Sequence, residues 1–231
     1  MDESTVVVTG ATSGIGNAVA LACAEEGAHV VACARDGDDV ADVVDEIEAA
    51  GGTATGVRAD VRDEFDVERL LETAARVGEG GVNYVFPIAG VFHGEPGDTP
   101  IDEEGYSTYD DHLRTNARGV FATITEALPH LTDDARVIVP TGSVASEATE
   151  GIGSYAVSKA TAEAIARAFS VDIEQTVGCV DPGQVATDLS GPGGRDPEDV
   201  APMFLWAATE ADPEELNGEV LGLREWKTAT R

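Results

Sequence analysis

The chain has 231 residues, 42% of them hydrophobic and only 5% aromatic, so its core must be built from Val, Ala, Leu and Ile, as suits a buried parallel sheet. Forty-four acidic residues against 14 basic ones leave a formal net charge of −30, which argues against nucleic-acid binding. Self-repulsion on such a surface fades as salt shortens the Debye length from ~10 Å at 0.1 M to ~3 Å at 1 M, and the composition reads as adaptation to a salty cytoplasm, with an acidic mesophilic protein as the other reading.

In chain order, short β-branched runs alternate with stretches of helical period. A strand from Thr5 to Thr9 leads through a glycine turn into a helix whose face carries Ile15, Val19, Ala22 and Cys23 and which Gly27 ends. A strand from His29 to Cys33 is followed by the stripe Val40, Val43, Val44 and Ile47, closed by Gly51 and Gly52. After the strand from Thr53 to Ala59, Asp63 is placed to cap a helix bearing Val67, Leu70, Leu71 and Ala74. The strand from Val82 to Ile88 precedes a helix predicted from about Asp110 to Ala127. Strands from Arg136 to Pro140, Thr176 to Val180 and Glu219 to Leu223 complete seven, with one helix starting near Ser154 and another at DPEDVA. Repeated βαβ units predict a Rossmann-type, doubly wound α/β sandwich with a seven-stranded parallel sheet. One domain over residues 1–231 is expected, its only loose segment being SGPGGRDP, Ser190 to Pro197.

Cys23, Cys33 and Cys179 are odd in number and sit in Ala/Val contexts, so they read as buried thiols. None of His29, His93, His112 or His130 stands at ligand spacing from another His or Cys, and no metal site is expected. Without a basic, apolar leader or a run of ~18 apolar residues, a cytoplasmic protein with no membrane partner is expected.

The first strand runs into ATSGIG, so Gly10, Gly14 and Gly16 fall where backbone amides and a helix N-terminus would meet a dinucleotide pyrophosphate. The TGxxxGxG spacing of Thr9 to Gly16 resembles the short-chain dehydrogenase/reductase family. That resemblance implies cofactor contacts from Gly10, Thr12, Ser13, Gly14, Ile15 and Gly16. It also implies adenine contacts from Asp60 and Val61, and close cofactor approach at Ala89 and Gly90. At the end of the second strand, CARD, Ala34 occupies the family's place for the acid that selects NAD. Arg35 follows, where NADP-preferring members often carry a base, so NADP is expected over NAD. A solvated surface arginine is the other reading of Arg35.

Moving a hydride to or from a carbinol carbon requires a group that handles the hydroxyl proton near neutral pH. In SYAVSK, Tyr155 and Lys159 lie four apart on one helix face, and a nearby ammonium is expected to lower the phenol's pKa from ~10. The chain has only two lysines, Lys159 and Lys227. Ser143 follows a strand's C-terminal end and precedes Tyr155 by twelve residues, a spacing similar to the family's, and its hydroxyl could hydrogen-bond the substrate oxygen. Asn116 in RTNARGVF resembles the family's helix asparagine, which holds a water linking the lysine to solvent. Pro182, Gly183 and Thr187 in DPGQVATDL resemble the stretch that cradles the nicotinamide, with Val185 contributing its backbone.

The resemblance implies an NADP-preferring oxidoreductase acting on a small carbonyl or secondary alcohol, and a homodimer or homotetramer joined through the helices beginning near Asp110 and Ser154. A non-catalytic, NADP-holding redox sensor of the same fold is the alternative, although such proteins commonly lose the Tyr or Lys. Sugar-nucleotide epimerisation through the same pair is weaker, since that branch usually has a longer chain. The chain departs from the family at Pro87 to Gly90, PIAG in place of NNAG, which predicts weaker bracing of the central strands and lower stability. The short Ser190–Pro197 segment leaves no room for lid helices, predicting an open pocket whose specificity rests on the Val91 to Tyr109 loop.

Overall fold

Strands β1 (Thr5–Thr9), β2 (His29–Ala34), β3 (Thr53–Arg58), β4 (Val82–Pro87), β5 (Leu131–Pro140), β6 (Thr176–Asp181) and β7 (Val220–Gly222) pair in parallel in the order β3-β2-β1-β4-β5-β6-β7. The structure, a computed structural model, describes residues 1–78 and 80–231. The chain steps outward from β1 to β3, returns to β4 beside β1, and steps outward again to β7. The strand order reverses between β1 and β4, and ligands of open α/β sheets bind beyond the strand ends at such a point.

Helices α1 (Gly14–Glu25), α2 (Gly37–Ala49), α3 (Glu64–Val77), α4 (Tyr106–His112), α5 (Gly119–Ala127), α6 (Ser154–Asp172), α7 (Pro197–Thr209), α8 (Pro213–Leu216) and α9 (Leu223–Ala229) make the crossovers and the tail. Successive residues of β1 point to opposite faces. Val6 and Val8 enter a core with Val19, Cys23, Met203 and Phe204 of α1 and α7. Val7 enters the other core, with Leu70, Leu71, Ile124, Ala162 and Ala166 of α3, α5 and α6. All five β1 residues are buried, as a strand covered on both sides requires. Cys23, Cys33 and Cys179 are buried, unpaired thiols.

Several local expectations hold. Asp63 caps α3 by accepting from the Phe65 and Asp66 amides, and Gly27 and Gly51 take positive φ angles of 87° and 90° just after α1 and α2. Three elements differ. The helix expected from Asp110 begins at Tyr106 and is interrupted by a π-helical turn over Leu113–Arg118, where the Asn116 side chain turns inward. β5 starts at Leu131, not Arg136; exposed Asp133 and Asp134 disguise its first half, and its pairing with β4 shifts register between Val82 and Tyr84. β7 shrinks to three residues at the sheet edge, opposite Cys179–Asp181.

The PIAG departure leaves the central register intact, since β1 pairs with β4 through Thr9 and Pro87. The backbone beyond it is held by side chains: Ala89 N–H donates to Thr9 Oγ1 at 3.1 Å, and Val91 N–H to Asn116 Oδ1 at 2.8 Å. Among the described residues no helix is long and apolar enough to cross a membrane.

Candidate active site

The C-terminal ends of β1, β2, β4, β5 and β6 open onto one cleft of about 730 Å³, within the ~300–1,000 Å³ range of small-molecule sites. Every candidate residue from Gly10 to Thr187 lines it, so segments scattered along the whole chain converge.

At its floor, Gly10 has φ +70°, and a Cβ there would lie 2.8 Å from Ala89 Cα; a Cβ on Gly16 would lie 2.0 Å from the Gly10 carbonyl oxygen. Only glycine permits this approach of turn, helix and strand. Ser13, the N-cap of α1, makes no side-chain cap, and the first turn of α1 carries no acid, so its amides are left for an anion. These features fit a dinucleotide's pyrophosphate against Gly10, Thr12, Ser13, Gly14, Ile15 and Gly16. Thr187 closes the cradle from the far side, its Cγ2 lying 2.9 Å from where a Gly14 Cβ would stand.

At the β2 end, exposed Arg35 borders the cleft beside Ala34, and Arg58 Nε donates to the Arg35 carbonyl at 3.0 Å. Asp36 and Asp39 share this rim. Asp60 is engaged by Arg62 at 2.7 Å, and Arg62 reaches Asp111 at 2.8 Å. Hydrogen bonds from Arg62 hold the Asp60 carboxyl below its usual range. Sequence reasoning missed Arg62, whose only local mark is its place two residues after an Asp.

At the chemical end, α6 presents Tyr155 and Lys159 to the cleft, both half-buried. Lys159 Nζ donates to the Pro140 carbonyl at 2.6 Å. Burial pushes Lys159 down to about 8, opposed by the negative potential of its surroundings, Glu163 and Asp181 included. The expected lowering of the Tyr155 phenol does not appear: burial pushes it up to about 12. Desolvation of the buried phenol is the cause. One turn beyond Lys159, buried Glu163 accepts from Thr141 Oγ1 at 2.6 Å, fastening α6 to the residue after Pro140.

Ser143 opens a short 3₁₀ turn after β5 and is exposed along the cleft wall. The Asn116 amide serves as a brace: Oδ1 accepts from Val91 N–H, and Nδ2 donates to the Val91 carbonyl and to Ser158 Oγ, both at 2.9 Å. Pro182, Gly183, Val185 and Thr187 follow β6. The segment expected to be loose is tied back onto them: Val185 pairs with Arg195, Thr187 pairs with Gly191, and Ser190 Oγ donates to the Val185 carbonyl. It adds no helix over the cleft before α7 begins at Pro197.

A family model described as short chain dehydrogenase matches residues 4–197. The chain belongs to this family. It is 30% identical to the NADPH-dependent aldehyde reductase 2, chloroplastic, of Arabidopsis thaliana, over 93% of this chain and 90% of that one. It is 34% identical to the versicolorin reductase of Emericella nidulans, over 82% of this chain and 72% of that protein. A dehydrogenase/reductase from Sinorhizobium meliloti 1021 superposes with a TM-score of 0.86 at 29% identity, covering 96% of this chain and 94% of that one. A short chain dehydrogenase from Burkholderia cenocepacia J2315, solved in complex with NADP, gives 0.85 at 25% identity, covering 96% of both. As a short-chain dehydrogenase, the chain keeps the family's glycine turn and YxxxK pair while carrying PIAG and a short post-β6 segment.

Proposed function

We propose that this short-chain dehydrogenase is an NADP-preferring oxidoreductase that reduces a neutral carbonyl, or oxidises the corresponding secondary alcohol, within one catalytic domain. The observation that carries this reading is the convergence of Tyr155 and Lys159 with the glycine turn and Arg35 on a single cleft. The Arabidopsis relative named for NADPH dependence and the neighbour solved with NADP support the cofactor, as does Ala34, which places no acid against a ribose 2′-phosphate.

A nicotinamide bound in this cleft would supply or accept the hydride. Tyr155 Oη gives its proton to the substrate oxygen during reduction and takes one back during oxidation. Ser143 Oγ hydrogen-bonds that oxygen, and Lys159, one turn along the same helix face as Tyr155, would hold the nicotinamide ribose and supply positive charge. Asn116 holds Val91 and Ser158 in place, and a water relay to Lys159 would run along the π-helical turn it belongs to. Val185 and Thr187 would hold the nicotinamide amide, and Asp60 and Val61 the adenine. Phe92 meets the Tyr155 ring edge-on, Val144, Ile152 and Leu189 also line the cleft, and the only cations lining it among the described residues are Arg35 and Lys159. This favours an uncharged, apolar carbonyl.

The acidic surface supports work in a salty cytoplasm, and three unpaired thiols suit a reducing compartment. We also propose a homodimer or homotetramer through α5 and α6, each of which carries an exposed apolar side chain, Phe121 at 49% and Val171 at 80%. The decisive experiment measures NADPH oxidation with a carbonyl panel in molar salt. Tyr155→Phe should abolish turnover while NADPH still binds by fluorescence titration; a variant that keeps its rate refutes the acid/base role.

A further inference from the structure

The loop leading into α4 sends one acidic side chain inward. Glu104 is only 6% exposed at its side chain, and its Oε2 accepts the Ser154 backbone N–H at 2.8 Å, across 50 residues of chain. Its Oε1 is buried without a hydrogen-bond partner among the described residues. Such an oxygen costs stability, so its persistence calls for a reason. Gly153, the N-cap of α6, has φ +57° and no side chain to cap with, and a Cβ there would lie 2.4 Å from Glu104 Oε1. The glutamate therefore replaces the missing cap, and its charge suits a helix N-terminus.

The same turn is gripped a second time. His112 is wholly buried; its Nε2 accepts from His93 N–H at 3.0 Å, so Nδ1 carries the proton and donates to Ser154 Oγ at 2.8 Å. The His112 ring stacks on Phe92 at 5.9 Å between centroids, and Phe92 meets Tyr155 edge-on at 5.1 Å. The amides of Gly97 and Thr99 both donate to the Gly151 carbonyl, at 3.0 and 3.1 Å. The loop on the substrate side is thus stitched to the residues immediately preceding Tyr155.

We propose that Glu104, with His112, is a clasp joining this loop to the first turn of α6, and that Glu104 is a positioning residue for Tyr155. The proposal rests on the oxidoreductase reading above. An uncapped first turn frays, and proton transfer tolerates little displacement of the phenol.

Three variants test it. Glu104→Ala should lower kcat at least tenfold while leaving KM for NADPH within twofold. Glu104→Asp, one methylene too short to reach Ser154, should behave like it. Glu104→Gln keeps an acceptor at full reach and should restore kcat to within threefold of the parent. Hydrogen exchange at the Ser154 amide should accelerate at least tenfold in the Ala and Asp variants and stay slow in the Gln variant. Parental kcat in Glu104→Ala, unchanged exchange at Ser154, or failure of Gln to rescue overturns the clasp. A parent protein inert toward every carbonyl sinks the oxidoreductase reading alone, because the exchange measurement needs no turnover.

Discussion

Replacing Arg35 with Ala tests the proposed basis of cofactor choice. Arg35 follows Ala34 at the end of β2, lies exposed on the cleft rim, and has its backbone held by Arg58. A hydrogen bond to a charged group contributes ~1.5–3 kcal/mol, and exposure puts this one at the lower end, ~1.5–2 kcal/mol. Each 1.4 kcal/mol is about tenfold, so kcat/KM for NADPH should fall roughly 10- to 30-fold. The value for NADH, which offers no 2′-phosphate, should change by less than about threefold. Initial rates with both cofactors, against one carbonyl at constant ionic strength, measure the ratio. Asp39→Asn, which removes a rim carboxylate without disturbing the Asp36 cap of α2, should raise NADPH preference modestly. Equal losses with both cofactors would show that Arg35 supports the fold and not the phosphate; no loss with NADPH would refute the assignment outright.

With the phenol pushed up to about 12, reduction finds Tyr155 protonated across the neutral range, whereas oxidation must first ionise it. Alcohol oxidation, followed as kcat/KM, should therefore climb from pH 7 to 9 while carbonyl reduction does not; parallel profiles would refute this. Lys159 has a folded pKa of about 8 against an ordinary 10.5, so the unfolded chain binds its proton more tightly. The resulting destabilisation is complete below pH 8 and is relieved as pH rises toward 10.5, so Lys159→Met should be inactive yet melt a few degrees higher at pH 7. A lower melting temperature would show that the Pro140 contact outweighs desolvation. Raising KCl from 0.1 to 1 M should increase the melting temperature of the parent protein, because screening weakens repulsion among 30 excess negative charges; an unchanged or falling value would refute the salt adaptation.

What sequence showed clearly was local. The glycine turn and the Tyr155–Lys159 pair are short-range spacings whose geometry follows from one strand, one turn and one helix. Asp63 and the helix-ending glycines were legible for the same reason. Features set by distant partners were hidden. The π-helical turn at Asn116 depends on Val91 and Ser158, which are 25 and 42 residues away. Lys159 meets Pro140, and Thr141 meets Glu163, only after β5 and α6 pack together. The direction of the Tyr155 shift was misjudged because helical spacing shows that two groups share a face, not how deeply each is desolvated. The first half of β5 was missed because Asp133 and Asp134 point to solvent at a strand end, breaking the apolar run.

The charge distribution ties the composition to the chemistry. In a chain with 14 basic residues and 44 acidic ones, the two cations lining the cleft stand at different ends, Arg35 beyond β2 and Lys159 on α6. An anionic dinucleotide approaching so negative a surface is repelled at long range, so on the reading proposed above its binding would rest on short-range contacts: free amides at α1, glycines that admit the phosphates, and Arg35 at the rim. At the other end of the cleft, Lys159 donates to the Pro140 carbonyl with Glu163 one turn behind it, and among the described residues no other cation lines the cleft there, Arg195 standing just behind Gly183. On the proposed reading, a carboxylate or phosphate substrate would meet the same long-range repulsion. On the reading proposed above, the acidic surface would also sort substrates, favouring neutral carbonyls over anions in a cleft lined by Phe92, Val144 and Ile152.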